Sequence, residues 1–539
     1  MCGIWVLLGE NSVDGRTDNC VKALEARGPE GTHIVAVSGG VTMGFTRLAI
    51  NGLNQFGMQP MVSGEIWWMC NGEIYNWKEL AEEYGIENES GSDCEILGPL
   101  FEKIVAPGED AAKFFRMLDG VFAIAILDCR GGQRSLVLGR DPYGVRPLFV
   151  AYEKGKLRVA ASEVKAILPY CTNVRPFPQG TCETYDLEHG PLYRTAYHTI
   201  PWLKNPMYTS VDMACLALRT ALGAAVKKRM LTERPVAALL SGGIDSSLIA
   251  SLVAKELRVA GAPPLKTFSI GMSGSQDLFY AKKVAKWIGS DHHEIVLDAK
   301  EFLDAIPKVI HDIESFDTTT VRASVGNWLI AREVAKRSNC KVVFNGDGSD
   351  EVFGSYLYFY GAPTRAAYEE EVTRLLSEIS MFDVLRSDRC ISSHGLEPRT
   401  PFLDKQFVAV ARSIPTDLLR PSKGTQVEKW ILRKAFDDGE TLPYDVLWRR
   451  KEAFSDGVSS SEKSWYQIVQ ENAKTLVPED WASKVCDVLP ATTAEMFLYR
   501  YYFNLSHGKE VSGKLFPHFW MPRWSPGVTD PSARALQNY

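Results

Sequence analysis

At 539 residues the chain is too long for one hydrophobic core, so two or more domains are expected. A 45% hydrophobic, 23% charged composition is that of an ordinary globular protein, and a net charge of −6 gives no global basic surface, which argues against nucleic-acid binding. There is no apolar run of about 18 residues to span a membrane. The 11 cysteines are scattered without a Cys-x-x-Cys pair, and this points to reduced thiols in the cytoplasm and away from a zinc site. The start, MCGIWVLLGENSVDGR, lacks the basic leader and cleavage site of a secretory signal.

Residues 1 to about 187 read as mostly β. Short apolar runs recur at Ile4–Leu8, Ile34–Val37, Ile66–Cys70, Val121–Leu127, Leu136–Leu138, Leu148–Ala151 and Leu157–Ala161, separated by turn residues. Helices are expected near Trp77–Tyr84 and Glu95–Val105, so two packed sheets with flanking helices fit residues 2–187. Residues 188–210 carry prolines and aromatics with little periodicity and read as a linker. Leu218, Leu222, Val226 and Met230 then mark the apolar face of a helix. From Val236 strands alternate with helices. Strands are expected at 236–240, 265–270, 293–297 and 341–345, with helices such as Asp277–Ile288 and Phe302–Ile313 between them. The expectation for 211–539 is a doubly wound parallel sheet with extra helices, and ligands at the strand C-terminal ends.

Leu240 ends the first of these strands, and Ser241, Gly242, Gly243, Ile244, Asp245, Ser246 and Ser247 lead straight into an apolar helix. Glycines let backbone N–H groups approach a phosphate, and the helix N-terminus adds partial positive charge. Asp245 disfavours a bare phosphate and so implies a bridging Mg²⁺. The lysine of a Walker loop is missing. The loop resembles the SGGxDS pyrophosphate loop of enzymes that cleave ATP to AMP and pyrophosphate.

Cys2 is the second focus. Loss of Met1 would free an α-amine with a pKa of roughly 8, able to take the proton of the residue's own thiol. On position alone a buried structural cysteine is the simpler reading. Other residues change that balance. Asn71 and the Gly72 N–H, in NGEIYN, supply two donors for an oxyanion; Arg47 suits a carboxylate; Asp93 accepts from an ammonium. Carboxylate, ammonium and carboxamide together describe glutamine.

CGI at the start, RGP at 27–29, RLAI at 47–50, NGEIYN at 71–76, GSDCE at 91–95 and GRDPYGVRPLF at 140–149 resemble the class II glutamine amidotransferase domain. The resemblance implies an αββα N-terminal-nucleophile sandwich, Cys2 as nucleophile, an oxyanion site at Asn71 and Gly72, and glutamine held by Arg47, Leu48, Ala49, Ile50, Asn51, Asn71, Gly72, Glu73 and Asp93. Ala26 and Glu30 depart from the histidine and aspartate usual around RGP.

With the pyrophosphate loop downstream, the whole chain resembles the glutamine-hydrolysing asparagine synthetase family. TFSIGM at 267–272, FDTTTVRASVGNWL at 316–329, HGLEPRTPFLD at 394–404, EAFSDG at 452–457, FWMPRW at 519–524 and DPSAR at 530–534 agree. This implies ATP and Mg²⁺, with aspartate and glutamine as the other small-molecule partners; a second copy of the chain, as a homodimer, is the macromolecular partner admitted. By the same resemblance ATP is bound by Leu240, Ser241, Gly242, Gly243, Asp245, Ser246, Ser247, Ile270, Gly271, Asn345 and Gly346, and aspartate or its adenylate by Thr320, Arg322 and Asp347. Asp347 and Lys451 are the catalytic residues of this half, and Asp245 and Asp350 hold Mg²⁺ through pyrophosphate.

Within NGDGSDE at 345–351, Asn345 stands where the family usually has serine, and Asp347 replaces a longer glutamate. Arg450 stands where proline is usual. Asp350 also fits a helix N-cap, and Lys451 a surface charge. The alternation of Tyr356, Tyr358 and Tyr360 reads as packing, and adjacent His292 and His293 as structural. Two other functions are weighed: a β-lactam-synthetase-like cyclase, disfavoured by Cys2, and a non-catalytic paralogue, disfavoured by the retained site residues.

Overall fold

The computed structural model describes residues 1–10, 13–37, 39–201, 207–208, 210–451, 457–459, 463–486 and 488–532. Positions 452–456 of the motif expected at 452–457, positions 202–206 and 209 of the linker, and 533–534 lie outside them.

The first domain contains strands β1 (Gly3–Leu8), β2 (Gly31–Val37), β3 (Val41–Arg47), β4 (Met61–Ser63), β5 (Ile66–Ile74), β6 (Gly120–Asp128), β7 (Ser135–Arg140), β8 (Phe149–Glu153), β9 (Lys156–Ala161), β10 (Val174–Pro176), β11 (Thr181–Asp186) and β12 (Gly190–Ala196). They form two six-stranded antiparallel sheets, β10-β8-β9-β1-β3-β2 and β12-β11-β7-β6-β5-β4. Strand alternation builds the layers. Ile4 and Val6 of β1 face Met69, Ala123 and Leu138 between the sheets. Trp5 and Leu7 point the other way, onto Cys20, Val21 and Leu24 in and after α1 (Gly15–Lys22). The outer face of the second sheet, with Trp68, Phe122 and Ile124, packs on α2 (Trp77–Tyr84), α3 (Leu97–Ile104) and α4 (Ala112–Met117). This is the expected αββα sandwich.

Three strands have no apolar signature. β3, VTMGFTR, is fully buried but interrupted by Thr and Gly. β11 and β12 are polar, and β12 is a mostly exposed edge held by pairing with β11. The segment 188–210 thus opens as a sheet strand, which corrects its reading as linker throughout.

In the second domain α5 (Val211–Lys228) buries Leu218, Leu222 and Val226 as its periodicity predicts. Five parallel strands follow: β13 (Val236–Leu239), β14 (Lys266–Gly271), β15 (Asp291–Val296), β16 (Val342–Phe344) and β17 (Glu397–Arg399), in the order β15-β14-β13-β16-β17. β17, only Glu-Pro-Arg, was not legible in the sequence. Helices α6 (Ile244–Val259), α7 (Gln276–Ile288), α8 (Ala299–Ile313) and α9 (Thr318–Arg337) fill the crossovers. The chain leaves β13 toward β14 and returns to its other side at β16. That reversal opens a crevice between the ends of β13 and β16, where ligands bind in such sheets. Further helices include α10 (Ser349–Phe353), α11 (Arg365–Glu378) and α12 (Asp383–Ser392).

One apolar cluster runs from the first domain into the second. Buried charges lock the contact. Arg27 Nη1 lies 2.8 Å from both Glu163 and Asp388, and Arg389 lies 2.7 Å from Glu314, which also accepts from the Val164 and Lys165 amides. Isolated, such charges would be costly to bury; mutually paired, they fix orientation. The two positions that depart from the family pattern sit here. The Ala26 carbonyl accepts from Gly395 N, and Glu30 accepts from Arg234 and from the Ala49 amide.

Candidate active sites

A cavity of about 230 Å³ occupies the crevice between β13 and β16. Its wall takes in Leu240, Ser241, Gly243, Asp245, Ser246, Ile270, Thr320, Asn345, Gly346, Asp347, Asp350 and Lys451. These are most of the residues expected to hold ATP and aspartate. Gly242 lies behind the wall at φ +72°, where a Cβ would come within 2.5 Å of Ala281 N and Tyr280 Cβ. Ser247 is buried in α6, and Gly271 packs on Ser275 and Leu278. These three shape the loop without facing the cavity. Gly346 lets the two loops meet: a Cβ there would stand 2.8 Å from Asp245.

The Ser241 and Ser246 hydroxyls satisfy each other. Ser241 Oγ and Ser246 Oγ are 2.9 Å apart, and Gly243 N donates to Ser241 Oγ at 3.3 Å. An incoming phosphate can take over these donors at the N-terminus of α6. Asp245 and Asp350 face each other across Lys429, whose Nζ lies 2.6 Å from one and 2.7 Å from the other. Lys451 Nζ lies 2.7 Å from both oxygens of Asp350. The two lysines hold the Asp350 carboxyl far below the usual range against the partial desolvation of the cavity wall. Asp350 lies in the first turn of α10, whose N-cap is Gly348, so the capping reading fails. Lys429 was missed because nothing around it in sequence marks it; it is almost fully buried.

Thr320, which donates to Asp317 at 2.8 Å, faces the cavity. Arg322 does not. Its guanidinium pairs with Glu495 at 2.5 Å and Asp530 at 2.8 Å, docking the C-terminal segment. This corrects its assignment to aspartate: the buried Glu495 and the half-buried Asp530 have already claimed its donors. Arg322→Met is expected to destabilise the fold by about 3 kcal/mol, seen as a lower urea midpoint, because both acids lose their cation. The arginines in the cavity wall are Arg386, Arg433, Arg449 and Arg450; of these Arg386 lies 3.2 Å from Asp347 and 3.4 Å from Asp383. Tyr356 also lines the cavity, with its hydroxyl on Glu351, whereas Tyr358 and Tyr360 are tied to Glu371 and Glu428. His292 bonds Thr267 and Ser269, and His293 stacks on Phe268; both are structural, as expected.

The second site lies at the open edge of the first domain. Cys2, Arg47, Leu48, Ala49, Ile50, Asn51, Gly72, Glu73 and Asp93 surround a cavity of about 30 Å³, room for roughly two or three waters. The Cys2 thiol is 3.6 Å from the Leu48 carbonyl. β4 pairs only with Ile66–Trp68, so β5 runs on as an open edge. Along it Cys70 N donates to Gln59 at 2.6 Å and Ile74 N to Asp93 at 2.7 Å. Strand alternation aims the intervening Gly72 N–H to the same side. A Cβ at Gly72 would strike the Val121 carbonyl at 2.0 Å. Both polar atoms of the Asn71 side chain are buried without a partner among the described residues. Such groups are costly unless a ligand satisfies them, which is what an oxyanion site requires.

Arg47 spans the loop carbonyls of Gly52 and Asn54 at 2.5 and 2.6 Å. The loop is braced from the second domain: Gly52 N donates to Glu233 at 2.6 Å, and Arg234 Nε donates to the Ala49 carbonyl at 2.8 Å. Glu73 accepts from Asn51 at 2.7 Å and lies 3.4 Å from Arg399 of β17. Glu397, also from β17, enters the cavity wall. Burial pushes the Asp93 carboxyl up to about 6. An ammonium needs it ionised, so kcat/KM for an amino-acid substrate of this site should fall as pH drops through about 6, in a pH profile of the free enzyme. Asp93→Asn should remove that limb and lower kcat/KM at all pH values.

Sequence comparisons agree with both halves. The family described as "Glutamine amidotransferase domain" matches residues 1–220, and the one described as "Asparagine synthase" matches 217–373 and 361–504. The chain is thus a two-domain amidotransferase, a glutaminase-type sandwich joined to a nucleotide-site synthase domain. The asparagine synthetase [glutamine-hydrolyzing] of Mus musculus is 39% identical over 570 residues, covering 100% of this chain and 99% of the relative. That of Homo sapiens is 38% identical over 573 residues, with the same coverage. The chain belongs to the glutamine-hydrolysing asparagine synthetase family. A solved glutamine phosphoribosylpyrophosphate amidotransferase from B. subtilis aligns at 16% identity and a TM-score of 0.34, over 56% of this chain and 91% of its own, too loosely to carry an argument.

Proposed function

We propose that the chain makes L-asparagine, L-glutamate, AMP and diphosphate from L-aspartate, L-glutamine, ATP and water. The observation that carries this is the joining of two sites through one strand: β17 supplies Glu397 to the Cys2 cavity, and its Arg399 carbonyl accepts from Asn345 N at the other at 3.1 Å. In the first site the freed Cys2 amine takes the thiol proton and the thiolate attacks the glutamine carboxamide. The Asn71 amide and Gly72 N–H hold the oxyanion, ammonia departs, and water hydrolyses the glutamyl thioester. Arg47 and Asp93 orient the substrate's carboxylate and ammonium. A cavity this small must widen to admit glutamine.

In the second site the aspartate β-carboxylate attacks the α-phosphorus of ATP, and diphosphate leaves toward Ser241–Ser247. Lys429 and Lys451 offset the charge that develops. Ammonia then attacks the β-aspartyl-AMP. Asp245 and Asp350 would hold Mg²⁺. Their hard oxygens suit it, and no group of three or more His, Cys, Asp or Glu side chains that could cage a metal occurs among the described residues, which fits an ion held largely by phosphates. Bound there, Mg²⁺ would neutralise the diphosphate. The proposed setting is the cytoplasm, with a homodimer as assembly; no helix among the described residues is long and apolar enough to cross a membrane.

Product analysis with aspartate, glutamine and Mg-ATP tests the reading. Asparagine and pyrophosphate should appear in equal amounts; glutamate without pyrophosphate would refute it.

A further inference from the structure

Asn345 opens the loop after β16 and is buried. Its Nδ2 donates to Ser387 Oγ of α12 at 2.7 Å, and its Oδ1 accepts from the backbone N of Asp347 at 3.3 Å. One amide therefore spans loop and helix. Ser387 is buried and adjoins Arg386, an arginine of the cavity wall. Two residues beyond Asn345, Asp347 Oδ1 meets that same Arg386 at 3.2 Å. The other oxygen, Oδ2, is buried at the cavity wall with no hydrogen-bond partner among the described residues. A buried carboxylate oxygen left unsatisfied is costly, which marks it as held ready for a ligand or transition state. An aspartate side chain is short, so its contact with Arg386 depends on the separation of loop and helix. The Asn345–Ser387 hydrogen bond fixes that separation beside the contact it serves.

We infer that Asn345 and Ser387 are positioning residues of the second site: their hydrogen bond sets the distance at which Asp347 and Arg386 meet. The inference rests on reading that cavity as the aspartate-adenylating site. Asn345 carries no charge and moves no proton; it acts through Asp347. A displacement of about 1 Å at a reacting group can cost about 100-fold in rate. A serine at 345 cannot reach Ser387 from the same backbone, and an alanine at 387 removes the acceptor.

The test is ammonia-driven, aspartate-dependent pyrophosphate release, which bypasses Cys2. Asn345→Ser and Ser387→Ala should each lower kcat/KM for aspartate about 10- to 100-fold, with the larger part in kcat and KM for ATP changed less than about twofold. The double variant should be no worse than the poorer single, because both break one bond. Adding Asp347→Glu to Asn345→Ser should recover about tenfold, since one more methylene reaches across a loosened gap. Additive losses, losses confined to KM for ATP, or no recovery with Asp347→Glu would overturn the inference. A wild type that releases no pyrophosphate with aspartate would instead overturn the reaction proposed above. The same cycle, read on the Tm of each variant, then decides between coupled and independent residues.

Discussion

Cys2→Ala is expected to abolish glutamine-driven asparagine formation, by about 10⁴-fold or more, and to leave ammonia-driven formation standing. Both activities measured on one preparation give the result; equal loss of the two would mean that Cys2 serves the fold and not the first reaction. The local electrostatics explain why processing matters. With Met1 in place, burial pushes the Cys2 thiol up to about 11 and holds the Met1 amine down to about 5. A thiol so placed is protonated at neutral pH and needs a base beside it. Loss of Met1 would put an amine on the same residue, in the same dry surroundings, where the neutral form is favoured. The glutaminase-active fraction should therefore equal the fraction lacking Met1 by intact mass.

Lys429→Met carries the second large effect. Lys429 bridges Asp245 and Asp350 at 2.6 and 2.7 Å from within the wall of the second-domain cavity. Without it the two carboxylates confront each other, and only Asp350 keeps a lysine, Lys451. Removing one partner of a fully buried pair costs about 3–5 kcal/mol; here the cost is smaller, because both aspartates are about one-fifth exposed. The main loss falls on catalysis. Pyrophosphate release should drop about 10³-fold, as for loss of a preorganised charge, while glutaminase activity persists in folded protein. A folded Lys429→Met protein with pyrophosphate release near wild type would show that Lys429 only braces the loops.

Much of both sites was legible because chemistry demanded residue types at fixed local spacings. Ser241–Ser247 stand at a strand-to-helix junction, and Asn71 and Gly72 lie within β5, on its open edge. Such groups mark themselves in a linear reading. Arg322 shows the limit. Family resemblance placed it on aspartate with Thr320, but its partners, Glu495 and Asp530, lie 173 and 208 residues away. Lys429 and Arg386 failed in the opposite sense, since neither has a local signature and each gains its role from a distant partner. Among strands, β3, β11, β12 and β17 escaped notice because pairing, not hydrophobic alternation, holds them.

The sequence by itself determined the αββα and doubly wound layers, through periods of two and 3.6, and it pointed to two candidate sites, Cys2 through family resemblance and the loop at 241–247 through its strand-to-helix junction. Only the tertiary structure decided which charges are free to meet a substrate, because an ion pair depends on distance in space. It also decided that the two sites share β17, since strand order in a parallel sheet is set by crossovers too long to read from local pattern.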